Sequence, residues 1–308
     1  MSLNLELYAP LATPTSKTLF SRLDTMLFSL MVVIAITSLC LTALNHWFWH
    51  YPGNNYFPDN TFSAFIALLL IWQGCTLIFP PHSAITRSLR EIVLFFTILC
   101  CIAFMTNAIQ LTPFKPIDPW IIQLEKTLHL NLLPMMAWAA QFPTLNHLLH
   151  IGYSSLEYQI ACLPLLGILN KQYHRLRIYY CLLLVTMLLG FMSYYFFPTT
   201  GPASHLHSAL FTTEQYATGL KFYQIHHGIP PSTIAGGLIA MPSYHTIWAL
   251  LSLYLAFPQK MLFLGLLPLN GLLIMACVCL GWHYVLDILI ASLIVSLSYL
   301  AIRFCLRK

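Results

Sequence analysis

The chain alternates long apolar runs with short polar ones, and the apolar runs recur at about the length of a bilayer crossing. Eight of them predict helices, at 26–44, 62–79, 92–111, 154–170, 178–197, 242–257, 261–280 and 284–302. Continuous apolar stretches of about 20 residues match a hydrocarbon core roughly 30 Å thick. Two of the eight are atypical. The run at 154–170 carries Glu157 and Gln159 near its start, and the one at 242–257 has only about 15 residues after Pro242, or roughly 22 Å of helix. Two long connections interrupt the pattern, at 112–153 and 198–241. The first contains "LLPMMAWAAQFPTLNHLLH", apolar but broken by prolines, which predicts an interfacial or re-entrant helix. The expected fold is an all-α polytopic membrane protein. Residues 1–111 form its N-terminal transmembrane helices, and residues 112–308 a transmembrane core whose long loops build a site.

Composition agrees. Of 308 residues, 58% are hydrophobic and 7% charged, whereas soluble domains carry about 25% charged residues. The opening "MSLNLELYAPLATPTSKTLFSRLD" is too long and polar for a secretory leader, so the first apolar run is expected to remain as an anchor. The nine cysteines fall almost entirely within apolar runs without metal-ligand spacing, and read as small core or lipid-facing residues.

Charge adds orientation. With eight spans both termini share one side. That side and its connections hold Lys17, Arg22, Arg87, Arg90, Lys171, Arg175, Arg177, Lys260, Arg303, Arg307 and Lys308, leaving Lys115, Lys126 and Lys221 opposite. Eleven of the fourteen basic residues on one side place both termini in the cytoplasm by the positive-inside rule. "NKQYHRLR" (170–177) then reads as a topology determinant. Trp47, Trp49, Tyr51, Tyr56, Trp120, Tyr194 and Tyr195 fall on the other side, as an interfacial aromatic belt would. The net charge of +5 reports orientation and anionic lipid, and no basic, aromatic-interleaved patch points to nucleic acid. Short loops suggest a bacterial inner membrane with a periplasmic site, or a lumenal one in a eukaryote.

The chemistry concentrates at two motifs. "MPSYH" (241–245) opens one span and "GWHYVLD" (281–287) opens the last, so the topology carries His245 and His283 to the same surface. His283 and Asp287 lie four positions apart, on one helical face, where the carboxylate can fix the imidazole tautomer. An ionisable residue in a membrane segment is costly and is a functional candidate by default. Pro242 and Ser243 sit where a helix N-terminus offers unpaired amides to an anion, with Tyr244 beside His245. "FFPTTGPASH" (196–205) supplies Thr200 and Gly201 near the same surface. Three readings stand side by side: a catalytic set, a structural His/Asp pair, and a metal site of two histidines and a carboxylate. "HHG" (226–228) lies in the loop before the sixth span, and Glu157, Gln159 and Tyr153 are candidates to line a polar cavity.

At these residues the sequence resembles the membrane-bound type 2 phosphatidic acid phosphatase superfamily. "PSYH" looks like its Pro-Ser-x-His motif and "HYVLD" like its final His-x-x-x-Asp motif, with further likeness in "FPTTGP" and "IDPWIIQLEKTLHL" (117–130). Two phosphate-clamping features of that superfamily are missing. No Lys-x6-Arg-Pro motif occurs, and the Ser-Arg pair upstream of the last histidine is replaced by Ala276 and Cys277. In this the chain is more similar to the inositol phosphorylceramide synthase and sphingomyelin synthase-like branch.

The resemblance implies a six-helix phosphatase-like catalytic core. It implies that His283 attacks phosphorus to form a phosphohistidine, that Asp287 orients it, and that His245 protonates the leaving alkoxide. Ser243, Tyr244, Thr200, Gly201 and Lys221 are the candidates to hold the phosphate, and no metal or cofactor is implied. The expected activity moves a phosphate or phosphorylated headgroup from a phospholipid or lipid phosphate donor. A hydroxyl lipid is favoured over water as acceptor, and simple lipid phosphate hydrolysis is the alternative. A rival of another class is a transporter or lipid-binding membrane protein with a structural His/Asp pair, against which stand the clustering of polar groups at one surface and the lack of an internal repeat.

Overall fold

The computed structural model describes residues 16–307, with side chains described for residues 22–306. Most of the polar N-terminal stretch therefore lies outside the described residues. Within them the chain is all-helical: α1 (Ser16–Leu44), α2 (Thr61–Ile78), α3 (Ala84–Ala108), α4 (Asp118–Thr127), α5 (Leu132–Ala140), α6 (Pro143–Leu169), α7 (Tyr173–Phe196), α8 (Thr213–His226), α9 (Tyr244–Ala256), α10 (Lys260–Cys279) and α11 (Val285–Arg307). Each of the eight predicted runs is a helix. Six helices (α1, α2, α3, α7, α10 and α11) are long and apolar enough to cross a membrane. The remaining two are the polar-headed α6 and the 13-residue α9.

The exposed surface identifies the solvent. α2 has no buried residue, and Leu70, Leu77 and Ile78 are 67%, 81% and 75% exposed. Such a face would be an aggregation liability in water, whereas hydrocarbon satisfies it, because the helix closes its own backbone hydrogen bonds. The interior is centred on α7, which α1, α3, α9 and α11 surround. One interior polar pair joins α6 to α10: Gln159 Nε2 donates to Asn270 Oδ1 at 2.9 Å.

Several expectations change. The connection 112–153 is mostly helical: the proline-broken stretch forms α5, and α6 begins at Pro143, eleven residues before the predicted start. Both prolines serve as helix openers or lie in a first turn, where no intrahelical N–H is lost. Of the aromatic belt, Trp47, Trp49 and Trp120 are exposed, but Tyr194 is fully buried in the core. Arg177 is more than a surface topology mark. It is 3% exposed, and its guanidinium meets Glu91 Oε1 at 2.9 Å and Asp24 Oδ1 at 3.0 Å, tying α7 to α3 and α1. Arg175 donates from Nε to Tyr254 O at 2.8 Å and lies over the Tyr254 ring, at the far end of α9.

Candidate active site

The N-cap of α9 and the turn before α11 are built together. Ser243 caps α9, its Oγ accepting from Thr246 N at 3.3 Å, and its own N–H donates to Asp287 O at 3.2 Å. Gly281, at φ +81°, turns the chain out of α10, where a Cβ would strike Met136 and Phe211. His283 N then donates to Cys277 O at 2.8 Å, folding the turn back on α10. The two histidine motifs thus share one frame, with ring centroids of His245 and His283 5.9 Å apart.

The partners of His283 decide its tautomer. Nδ1 faces Ala240 O at 2.9 Å and Asp287 Oδ2 at 3.3 Å. Both are acceptors, so Nδ1 carries the proton and Nε2 keeps its lone pair. Asp287, fully buried, holds the turn as well as the ring: the same Oδ2 accepts from Tyr284 N at 2.9 Å. Burial pushes the His283 pKa down, to about 4, against the smaller opposing effect of the Ala240 carbonyl. The ring is therefore neutral near neutral pH, a requirement for a nitrogen nucleophile.

His245, His283, Tyr244, Thr200 and Gly201 line one cavity of about 250 Å³, whose other walls include Phe191, Leu238 and Trp248. Tyr56 and, from α3, Ile102 and Thr106 also face it. The N-terminal third of the chain thus contributes directly to this space. Tyr153 stacks on His245 with centroids 4.2 Å apart and on Trp282 at 5.4 Å.

Two expected phosphate ligands sit elsewhere. Ser243 is fully buried and occupied as a cap, and Lys221 lies behind the cavity wall, its ammonium donating to Gly236 O at 3.1 Å, Ile234 O at 3.4 Å and Tyr56 Oη at 3.4 Å, of which Gly236 and Tyr56 line the cavity. Burial pulls the Lys221 pKa down to about 8. Of the polar candidates near the site, Glu157 lines a neighbouring chamber, whereas Gln159 is consumed by Asn270. His226 bonds Thr112 and Phe222, and His227 bonds Tyr223 O. Among the described residues no group of three or more His, Cys, Asp or Glu side chains is placed to hold a metal ion.

Sequence reasoning assigned no role to Asp118 and Glu125. Both project from α4 and both are buried. Asp118 accepts from Thr200 N and Gly201 N, each at 3.0 Å, and from Tyr284 Oη at 3.2 Å, with His205 Nε2 at 3.5 Å. Glu125 Oε1 accepts from Leu286 N at 2.9 Å, capping the first turn of α11. Their seven-residue spacing, two turns on one helix face, was the available signal. α4 therefore clamps the 200–201 loop and the His283 turn to each other.

The family model for the PAP2 superfamily matches residues 119–301, which include both histidine motifs and most of α4. No match was found among curated proteins or among solved structures. The match covers more than half of the chain: it belongs to the PAP2 superfamily.

Proposed function

We propose that this protein transfers a phosphate or phosphorylated headgroup from a membrane lipid by way of a phosphohistidine on His283, with a hydroxyl lipid favoured over water as acceptor. Membership of the PAP2 superfamily supports lipid phosphate chemistry of the phosphatase or phosphotransferase type. The observation that carries the finer reading is the anchored Nδ1 of His283. It leaves Nε2 as the free nitrogen of a neutral ring beside His245, in a cavity with apolar walls. In the reaction Nε2 attacks phosphorus and the bond to the leaving oxygen breaks. His245, in its protonated form, delivers a proton to that oxygen, and the resulting neutral ring then takes one from the acceptor hydroxyl as the P–N bond breaks.

The preference for a lipid acceptor rests on the likeness to the inositol phosphorylceramide synthase branch. At the positions of the missing clamps Ala276 and Cys277 are buried, and the amides of Thr200 and Gly201 are taken by Asp118. The groups left to meet phosphate oxygens are the first two N–H groups of α9, on Tyr244 and His245, which have no intrahelical acceptor. Residues 112–308 form the catalytic core in this reading. The eleven-to-three basic split supports cytoplasmic termini and a non-cytoplasmic site, in a bacterial inner membrane. The test is trapping with phosphate-labelled lipids: acid-labile, base-stable label on His283 is expected, followed by its appearance in a new lipid when a hydroxyl lipid is added. Label leaving only as free phosphate would make the protein a lipid phosphate phosphatase instead.

A further inference from the structure

His245 belongs to a layer of stacked rings between two spaces. Tyr153 lies against it with centroids 4.2 Å and planes 20° apart, and stacks on Trp282 at 5.4 Å and 12°. Gly152 permits this layer. There α6 runs so close to α10 that a Cβ would lie 3.1 Å from Leu273 N, and the next residue, Tyr153, is carried over the start of α9. On one side is the cavity shared with His283, of about 250 Å³, whose walls are mostly apolar, Ile102, Phe191, Leu238 and Ile239 among them. On the other is a second chamber, of about 500 Å³, whose lining includes Asn146, His150, Ser154, Glu157 and Glu214. Tyr153, His245, Trp248 and Trp282 border both, so the stack is the wall between them.

We propose that Tyr153 divides the two possible acceptors of the reaction: its ring keeps the water of the second chamber from the phosphorus on His283, and so favours transfer to a hydroxyl lipid over hydrolysis. The inference rests on the phosphohistidine reading above and adds the residue that sets the acceptor. The second chamber is where water stands. His150, Ser154, Glu157 and Glu214 are exposed and together offer water both donors and acceptors. An enclosed water needs roughly two to four polar partners, which Ile102, Phe191, Leu238 and Ile239 do not supply in the first cavity. His245 is the base for either acceptor, and Tyr153 covers one face of its ring. A water taking the place of the Tyr153 side chain would reach His245 from the chamber. Its proton would pass to the neutral His245 ring, its oxygen would bond to phosphorus, and the bond from phosphorus to His283 Nε2 would break. With the ring in place, that position is left to a hydroxyl carried into the apolar cavity by a lipid.

The test uses the full chain in nanodiscs, labelled on His283 from dioleoyl phosphatidic acid carrying labelled phosphate, with no hydroxyl lipid added. Tyr153→Ala is expected to lose the label as free phosphate about tenfold faster than the unsubstituted chain, and Tyr153→Phe, which keeps the ring, to stay within about twofold of it. Adding Ser154→Leu and Glu157→Leu to Tyr153→Ala replaces part of the chamber's polar lining with hydrocarbon and restores the slow loss. Exchange of the imidazole C2 hydrogen in deuterated water, read by mass spectrometry, follows water access without any substrate. At His245 it is expected to rise in Tyr153→Ala and to fall again in the triple variant. A label that lasts longer in Tyr153→Ala would show that the stack positions His245 as a base and bars no water, and would overturn the proposal. So would label loss and exchange at unsubstituted values, or a rise in either that the triple variant does not reverse. If no label forms on the unsubstituted chain, the phosphohistidine reading falls, and the exchange at His245 by itself upholds or overturns Tyr153 as the barrier to water.

Discussion

Asp118 and Tyr284 are 166 positions apart in the chain and meet at 3.2 Å, the tyrosine hydroxyl donating to a carboxylate that also holds the amides of Thr200 and Gly201. One buried side chain on α4 thus fixes the loop on one side of the cavity and the residue next to His283 on the other. Asp118→Ala strips an acceptor from three buried donors, each worth about 1–3 kcal/mol when left unmade. The expected result is a loss of at least about 3 kcal/mol in stability, read as a lower thermal midpoint in detergent, with turnover falling even where the protein is folded. Asp118→Asn, which keeps one carbonyl acceptor, recovers part of both. An Ala variant as stable and active as the parent would show that the network holds nothing in place.

The three residues at the centre are separable by step. His283→Ala abolishes phosphate trapping. Asp287→Asn keeps the shape but presents an amide to the ring, and lowers turnover by about 10²–10⁴-fold. His245→Ala lowers turnover to a similar degree with natural lipids, because the leaving alkoxide lacks a proton, and much less with a nitrophenyl ester whose leaving group needs none. Equal loss on both substrates would remove His245 from the proton-transfer role. Single-turnover labelling of each variant makes the comparison.

Acidity tests the state of His283. Its pKa is held down to about 4 by burial. The neutral ring is the nucleophile, so the sign is that activity is retained above that value and lost as pH falls through it. With a nitrophenyl ester, whose leaving group needs no proton from His245, the rate of labelling His283 is expected to stay level from about pH 8 to about pH 5 and then to fall about tenfold per unit once below 4. A limb centred near the ordinary histidine value of 6.5 would mean that water reaches the ring in the working enzyme.

The ion cluster of α7 bears on stability away from the site. Arg177 pairs with Glu91, whose side chain is fully buried, and with Asp24. Arg177→Met leaves Glu91 with only the partly exposed Arg90 at 3.3 Å, and should cost about 3–5 kcal/mol. Adding Glu91→Gln to it removes the stranded charge and should return a large share. Denaturant or thermal melts of the two variants provide the check; a single variant no weaker than the double would contradict the assignment.

Metal dependence offers a simple contrast. In the proposed mechanism the imidazoles and helix-end amides supply what the reaction needs, so exhaustive chelation should leave turnover within about twofold. Strong inhibition that added zinc reverses would replace the phosphohistidine scheme with a metal-activated one.

The sequence by itself determined the solvent, the helices and the central pair. Apolar runs of bilayer length admit little but helices, because lipid offers backbone groups no other partner, and all eight predicted runs are helical. A His and an Asp four apart declare a shared face at once, since that relation is local. The pairing of His245 with His283 was legible too, because span order alone forces their ends together. What the sequence left open was everything set by long-range geometry. It cannot distinguish a serine that caps a helix from one that binds phosphate, and Ser243 proved to be the cap. Nor can it say whether a lysine reaches a cavity or, like Lys221, folds onto nearby carbonyls. The role of Asp118, the stacking of Tyr153 on His245 and the second chamber depend on residues brought together from α4, α6, α8 and the turns between them. Only tertiary packing decides such contacts, because each is fixed by where several rigid helices come to rest against one another and by no property of any one segment.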